Sequence, residues 1–301
     1  MNRNKTILKV AGLLLVVGVA LYFVGMAAFA SESPAQGGKV TQLTYVKEDY
    51  TVQADGISRI SIKTRNMPVT VTPTKGNEIA IHYYTSEEDP YEVSLEGGVL
   101  TLKYKYENLF SVGSWFSGST IFNVINNTNP NVELVVPEGY ANALQINTSN
   151  ASIRVSGLIN AGDVRIETSN ASVDVSDVTA TGINAQTSNG TVTLDKLVVA
   201  GNMDVRSSNG SITARQVAAK DRLTLNTSNA RINVEQVTSA VIEIRSSNAS
   251  ISGSVAGKRS DYTISSDTSN ADNSLGDGGS GPSRLTVNTS NGSINVKFQD
   301  D

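Results

Sequence analysis

The stretch Leu144-Gln145-Ile146-Asn147-Thr148-Ser149-Asn150-Ala151-Ser152-Ile153-Arg154-Val155 decides the fold, because its central word keeps returning. Thr148-Ser149-Asn150-Ala151 is followed by equivalents centred on Asn170, Asn189, Asn209, Asn229, Asn248, Asn270 and Asn291. Successive asparagines are separated by 20, 19, 20, 20, 19, 22 and 21 residues. A fixed period near 20 residues marks one structural unit stacked on the next.

Positions are counted here from each asparagine. Positions −6 and −4 are apolar in most copies (Leu144 and Ile146, Val164 and Ile166, Leu223 and Leu225), and −2 is Thr or Ser. Positions +3 and +5 are apolar again, as in Ile153 and Val155 or Val173 and Val175. Each run alternates with period two, the pattern of a half-buried strand. The inward parity changes between the Asn and the Ala or Gly after it, so a straight strand would turn its second apolar set outward. A corner at the Ser-Asn-Ala/Gly step keeps both sets inside, since Asn tolerates the left-handed region and Ala or Gly adds little bulk. A looser return carries one further apolar residue, such as Leu158, Val178, Leu197, Val217 or Val237. The predicted fold is all-β, a single-stack β-solenoid of about 20 residues per rung after an N-terminal transmembrane helix. Asn150, Asn170, Asn189, Asn209, Asn229, Asn248, Asn270 and Asn291 are expected to form a buried structural amide ladder along the corner. A row of metal-binding or sugar-binding amides is the functional alternative.

Working outward, Val10–Ala30 is a run of 21 residues without a charge, preceded by Arg3, Lys5 and Lys9. At 1.5 Å per residue a helix of that length spans roughly 30 Å, the thickness of a bilayer core. The flanking positive charge places the N-terminus in the cytoplasm and the rest outside, as a single-pass protein of the cell membrane. Ala28-Phe29-Ala30 also fits a signal-peptidase site, so secretion after cleavage at Ala30 is the alternative. Residues 31–39 form a linker, and residues 40–140 an irregular strand-rich N-terminal part of the stack. There Ile60–Val71 is a degenerate copy of the repeat, with Arg65 in place of Ser. An aromatic loop at 107–130 holds Phe110, Trp115, Phe116 and Phe122 and either caps the stack or serves as a recognition loop. Residues 141–301 are the regular repeat. The closing Gln299-Asp300-Asp301 would set charge beside an open strand edge.

The residue inventory excludes much chemistry. A formal charge of −4 disfavours nucleic acid. There is no cysteine and only His82, which reads as an outward surface residue of a strand. No Gly-x-Ser-x-Gly elbow is present. Glu87-Glu88-Asp89 reads as a solvated turn, with a weak calcium site as the alternative. No catalytic residue, cofactor site or metal site is assigned. The outward hydroxyl columns at −1 and +2 could bind ice or a repetitive glycan. Arg231 and Asp272 interrupt the +2 column, and short polar side chains are the ordinary way to solvate a corner.

Ile60–Val71, Val132–Pro137 (VELVVP), the serial TSNA/TSNG units and Leu285–Phe298 (LTVNTSNGSINVKF) together resemble the bacterial "putative adhesin" family of membrane-anchored strand-repeat surface proteins. The resemblance spans most of residues 40–301 and implies an architecture, with no reaction and no ligand. Some members are accessory membrane proteins of envelope-stress operons in Gram-positive bacteria. The expected function is a non-enzymatic, extracytoplasmic binding or scaffold module whose partner is a cell-envelope component or a membrane protein. The alternatives are an accessory regulator of envelope-stress signalling and, from another class, a polysaccharide-active enzyme. The enzyme would need acids converging on one side, whereas the outward charges read as scattered cross-strand pairs.

Overall fold

A computed structural model of the chain describes residues 44–105 and 129–301. The Val10–Ala30 segment, the 31–39 linker and the loop residues Phe110, Trp115, Phe116 and Phe122 lie outside the described residues. No helix among the described residues is long and apolar enough to cross a membrane. Those residues are all-β, with a single 3-10 turn at Arg259–Asp261.

Alternating apolar residues form short strands that pair in parallel with their counterparts one repeat away. Leu144 lies beside Val164, Val164 beside Ile183, Ile183 beside Met203, Met203 beside Leu223 and Leu223 beside Ile242. The second strand of each repeat does the same through Ile153, Val173, Val192, Ile212, Ile232 and Ile251. These columns are buried, Ile146, Ile166, Leu194, Ile212 and Leu225 at 0 % exposure. Each contributes roughly 1.5–3 kcal/mol through its removal from water.

The corner differs from the expectation in one respect. Position −2 faces inward, as with Thr148 and Thr227, and so does +1, as with Ala151, Gly190 and Gly210. The Ser and Asn between them both point outward. The chain turns over two residues, and the intervening Asn is thereby carried to the surface. The amide ladder exists but is exposed: Asn150, Asn170, Asn189, Asn209, Asn229 and Asn248 follow Asn66 in an unbroken file of Nδ2-to-Oδ1 bonds of 2.7–2.9 Å. Inside the corner the −2 hydroxyl replaces missing backbone partners. Thr187 Oγ1 accepts from Gly190 N at 3.1 Å and donates to the Ala171 carbonyl at 3.2 Å. Ser207 accepts from Gly210 N at 2.8 Å and donates to the Gly190 carbonyl at 3.3 Å.

A second corner lies seven residues after the asparagine. Asp177, Lys196, Gln216 and Gln236 adopt φ of 53°, 53°, 51° and 56°, and Gly157 holds the same place at 73°. This left-handed residue reverses parity once more, which is why Val178, Leu197, Val217 and Val237 immediately after it are buried.

The stacking order departs from the chain order at both ends. The final strands, Ser283–Thr289 and Ile294–Phe298, pair with Val241–Ser246 and Ile251–Val255. Tyr262–Thr268, earlier in sequence, pairs with the opposite side of Ser283–Thr289. The ladder follows: Asn291 donates to Asn248 at 2.8 Å, and Asn270 to Asn291 at 2.7 Å. The repeat with the polar Asn273 at +3 is therefore terminal and has one neighbour to satisfy, while the apolar Leu285 and Val287 lie on a strand paired on both sides, and Ile294 and Val296 are buried with them. At the other end Arg59–Lys63 lies between Val99–Tyr104 and Ala143–Asn147. Antiparallel strands follow outside it: Tyr91–Glu96 on Val99–Tyr104, and Val46–Gln53 on Glu78–Thr85, which itself pairs with Val132–Pro137.

Gln299-Asp300-Asp301 follows a strand that is paired along its length with Ile251–Val255 and on its other side is met only at Ile294, by Asn273; the Gln299 and Asp300 amides donate to the Val255 and Gly257 carbonyls. The edge strand Tyr262–Thr268 is covered by the loop after Leu275. Ile264 exchanges backbone bonds of 2.7 and 3.2 Å with Gly278. The Arg259 guanidinium grips the carbonyls of Leu275, Gly276 and Asp277 at 2.8–3.2 Å.

Three substitutions test this packing. A Cβ at Gly210 would stand 1.6 Å from the Gly190 carbonyl oxygen. Gly210→Ala is expected to cost about 3 kcal/mol by chemical denaturation, through forced separation of two backbones, whereas Ala230→Gly costs about 1 kcal/mol. Arg259→Ala is expected to cost about 2 kcal/mol and to raise light scattering on warming, as the covered edge opens.

Candidate functional site

The outward residues on the first strand of successive repeats build a concavity. It is a groove of about 600 Å³ that runs along the stack. One wall is the −3 column, Asn147, Glu167, Gln186, Arg206 and Asn226; the other side is the −1 row, Ser169, Ser188, Ser208 and Ser228. It meets a smaller groove of about 280 Å³ at Asn147 and Thr148, where Lys63 extends the −3 column, Ser149 and Arg65 extend the −1 row, and Tyr104 closes the end.

The wall is held from behind by the −5 column. Arg165 Nε donates to Glu167 at 2.8 Å, Gln186 Nε2 to Asn184 at 3.1 Å, and Arg206 to both oxygens of Asp204 at 3.0 and 2.7 Å. These pairs lie along one strand, two residues apart, where cross-strand pairing was expected. Charge pairs that do link different repeats are Arg154–Asp174 at 3.8 Å, Lys196–Asp177 and Arg215–Glu235 at 3.7 Å, and Arg222–Glu243. As exposed pairs each stabilises by no more than about 1 kcal/mol, and their effect on the groove is orientation. The serine hydroxyls at −1 are exposed, and none takes a hydrogen-bond partner among the described residues. The Asn147 Oδ1 is buried without a donor.

The end of the smaller groove is aromatic. The Arg65 guanidinium lies 3.8 Å above the Tyr104 ring, and Tyr104 meets Tyr91 edge-on at 5.8 Å. Arg65 N donates to the Tyr91 hydroxyl at 3.1 Å. Arg65 stands where other repeats carry the −1 serine, so the row of hydroxyls ends in a fixed cation. Nearby, the Tyr45 hydroxyl donates to Asp89 at 3.2 Å. Burial raises the Asp89 carboxyl above its ordinary value and, with Asp89 beside it, pushes Tyr45 up to about 12. Burial raises Tyr91 further still.

The ladder asparagines flank the groove as a continuous outer rail. Of the two hydroxyl columns singled out in the sequence, −1 lines the groove and +2 does not. The −3 wall was missed, because its residue types look scattered until they are aligned by repeat. Its available signal is that every member from Asn147 to Asn226 carries an amide, a carboxylate or a guanidinium. His82 faces Asp49 across the antiparallel pair, Nδ1 to Oδ1 at 2.5 Å, and this hydrogen bond holds the Asp49 carboxyl below the usual range. Among the described residues no three histidines or carboxylates converge on a point.

Stacked parallel repeats with a polar groove along one side define a strand-repeat class of β protein. The chain belongs to the Toastrack DUF4097 family, whose model matches residues 57–299. It is similar to a solved structure described as a "putative adhesin" from Parabacteroides merdae, at 12% identity, 85% of this chain, 97% of the other and a TM-score of 0.40. A second, from Parabacteroides distasonis, shares 13% identity over 84% of this chain and 97% of the other, with a TM-score of 0.38. A "putative cell adhesion protein" from Clostridium sporogenes shares 11% over 85% and 100%, with a TM-score of 0.27. No curated protein matches the sequence.

The tyrosines make a pH prediction. Tyr140, with its hydroxyl buried and unpartnered, is pushed up to about 12, as is Tyr45. A phenol with a folded value above its unfolded value of about 10 contributes stability that is complete below pH 10 and is lost as pH rises through the folded value. The melting temperature should therefore hold to about pH 10 and then fall. Tyr140→Phe should not lower it at neutral pH, since the hydroxyl satisfies nothing, and should reduce the alkaline loss.

Proposed function

We propose that the chain is a non-enzymatic, extracytoplasmic β-solenoid, anchored in the membrane through residues 10–30, that binds a component of the cell envelope. The observation that carries this reading is the groove: a straight, polar, pre-oriented surface repeated rung by rung, with its serine hydroxyls unengaged. A solenoid suits such a role because each rung repeats the same donors and acceptors about 4.8 Å further along. Support for a binding role over catalysis comes from the charges. The groove's acid, Glu167, is engaged by Arg165, and its Arg206 by Asp204 behind the wall, so these charges serve as structural partners. The apolar Val10–Ala30 run after three basic residues supports the anchor and the outward orientation.

The test is co-sedimentation of the full chain, in a detergent without a sugar headgroup, with purified cell-wall sacculi before and after extraction of their anionic polymers. Saturable sedimentation with either preparation is the expected result. Absence of binding to both would overturn the envelope reading in favour of a membrane-protein partner.

A further inference from the structure

The groove restricts the chemistry of what it can hold. Its walls carry amides and hydroxyls, and its charged members, Glu167 and Arg206, are already paired on their own strands. An amide both donates and accepts, and so does a serine hydroxyl. A ligand matched to such a surface must itself offer donors and acceptors along its length. Asn147, where the two grooves meet, adds a further amide to this wall. A hydroxyl or amide group on the ligand can answer both the donors and the acceptors of such a surface, whereas a phosphate or carboxylate group answers only the donors.

The geometry adds a second restriction. From Asn147 to Asn226 the wall crosses five successive rungs, roughly 19 Å at about 4.8 Å per rung. The same pair of columns recurs at each step, so the fitting ligand is linear, periodic and extended parallel to the stack. At the far end Arg65 and Tyr104 replace the pattern with a cation over an aromatic ring.

We propose that this groove is a binding site for a linear polysaccharide strand bearing hydroxyl and acetamido groups, laid along the −3 and −1 columns. The assignment rests on the envelope-binding reading and names its ligand. Gln186 and Asn147 meet acetamido groups, the serine row meets ring hydroxyls, and Asp204 and Arg165 act as positioning residues that hold Arg206 and Glu167 in the wall.

The probe is chitohexaose, titrated calorimetrically into the full chain in a detergent without a sugar headgroup, with inorganic polyphosphate as competitor. Ser188→Trp places an indole in the middle of the groove at an exposed position, and Gln186→Ala removes one wall amide with little structural risk. The expected result is saturable binding, weakened at least tenfold by Ser188→Trp at unchanged melting temperature and severalfold by Gln186→Ala, with no displacement by polyphosphate. Absence of binding, equal affinity in both variants, or displacement by polyphosphate would overturn the assignment. Sacculi that retain wild type and Ser188→Trp equally would refute the groove while leaving the envelope reading intact. Loss of sacculus binding by the wild type would refute the envelope reading, and the soluble hexasaccharide would still decide the groove.

Discussion

Each turn of this chain depends on the inward hydroxyl at the corner. A strand that bends through a right-angle step takes backbone groups out of its ladder, and at a buried corner water cannot replace the lost partners. Thr187, Ser207, Thr227 and Ser246 solve this with one oxygen each, donating to a carbonyl of the neighbouring repeat at 3.1–3.3 Å. Because the hydroxyl sits inside, the next two side chains are forced outside. The exposed Asn file and the exposed Ser row are thus one consequence of a single buried bond, and so is the groove they border.

Much of this was legible in the sequence, and the failures have physical causes. Period and parity identified the strands, the corner and the core, because a side chain alternates inward and outward whatever its neighbours. Asn209 was misplaced to the interior because parity alone cannot say whether a corner occupies one residue or two. The second corner leaves no motif in the sequence, since Asp177, Lys196, Gln216 and Gln236 share no residue type, only a positive φ. The order of the last repeats was also hidden. Nothing local to Leu285–Phe298 distinguishes an interior rung from a terminal one, although Asn273 at an apolar position was a sign that its own repeat lies at an end.

The groove belongs to a different level of description. Its members are ordinary surface residues, and no motif joins them. What joins them is the regular register between repeats, which places Asn147, Glu167, Gln186 and Arg206 in file. The −5 residues then limit how far those side chains can swing. A ligand meeting this wall would find it ordered beforehand, and ordering side chains is a large part of what association otherwise costs.

The interposed final repeat bears on how such a chain can change its length over evolutionary time. Duplicating an internal unit between Asn150 and Asn248 adds one more layer with both neighbours of the usual kind. Duplicating the last unit does not, because Ser283–Phe298 occupies a slot bounded by Val241–Val255 on one side and Tyr262–Thr268 on the other. Growth is therefore confined to the middle of the stack, and the two ends behave as fixed fittings between which the number of layers is free to vary.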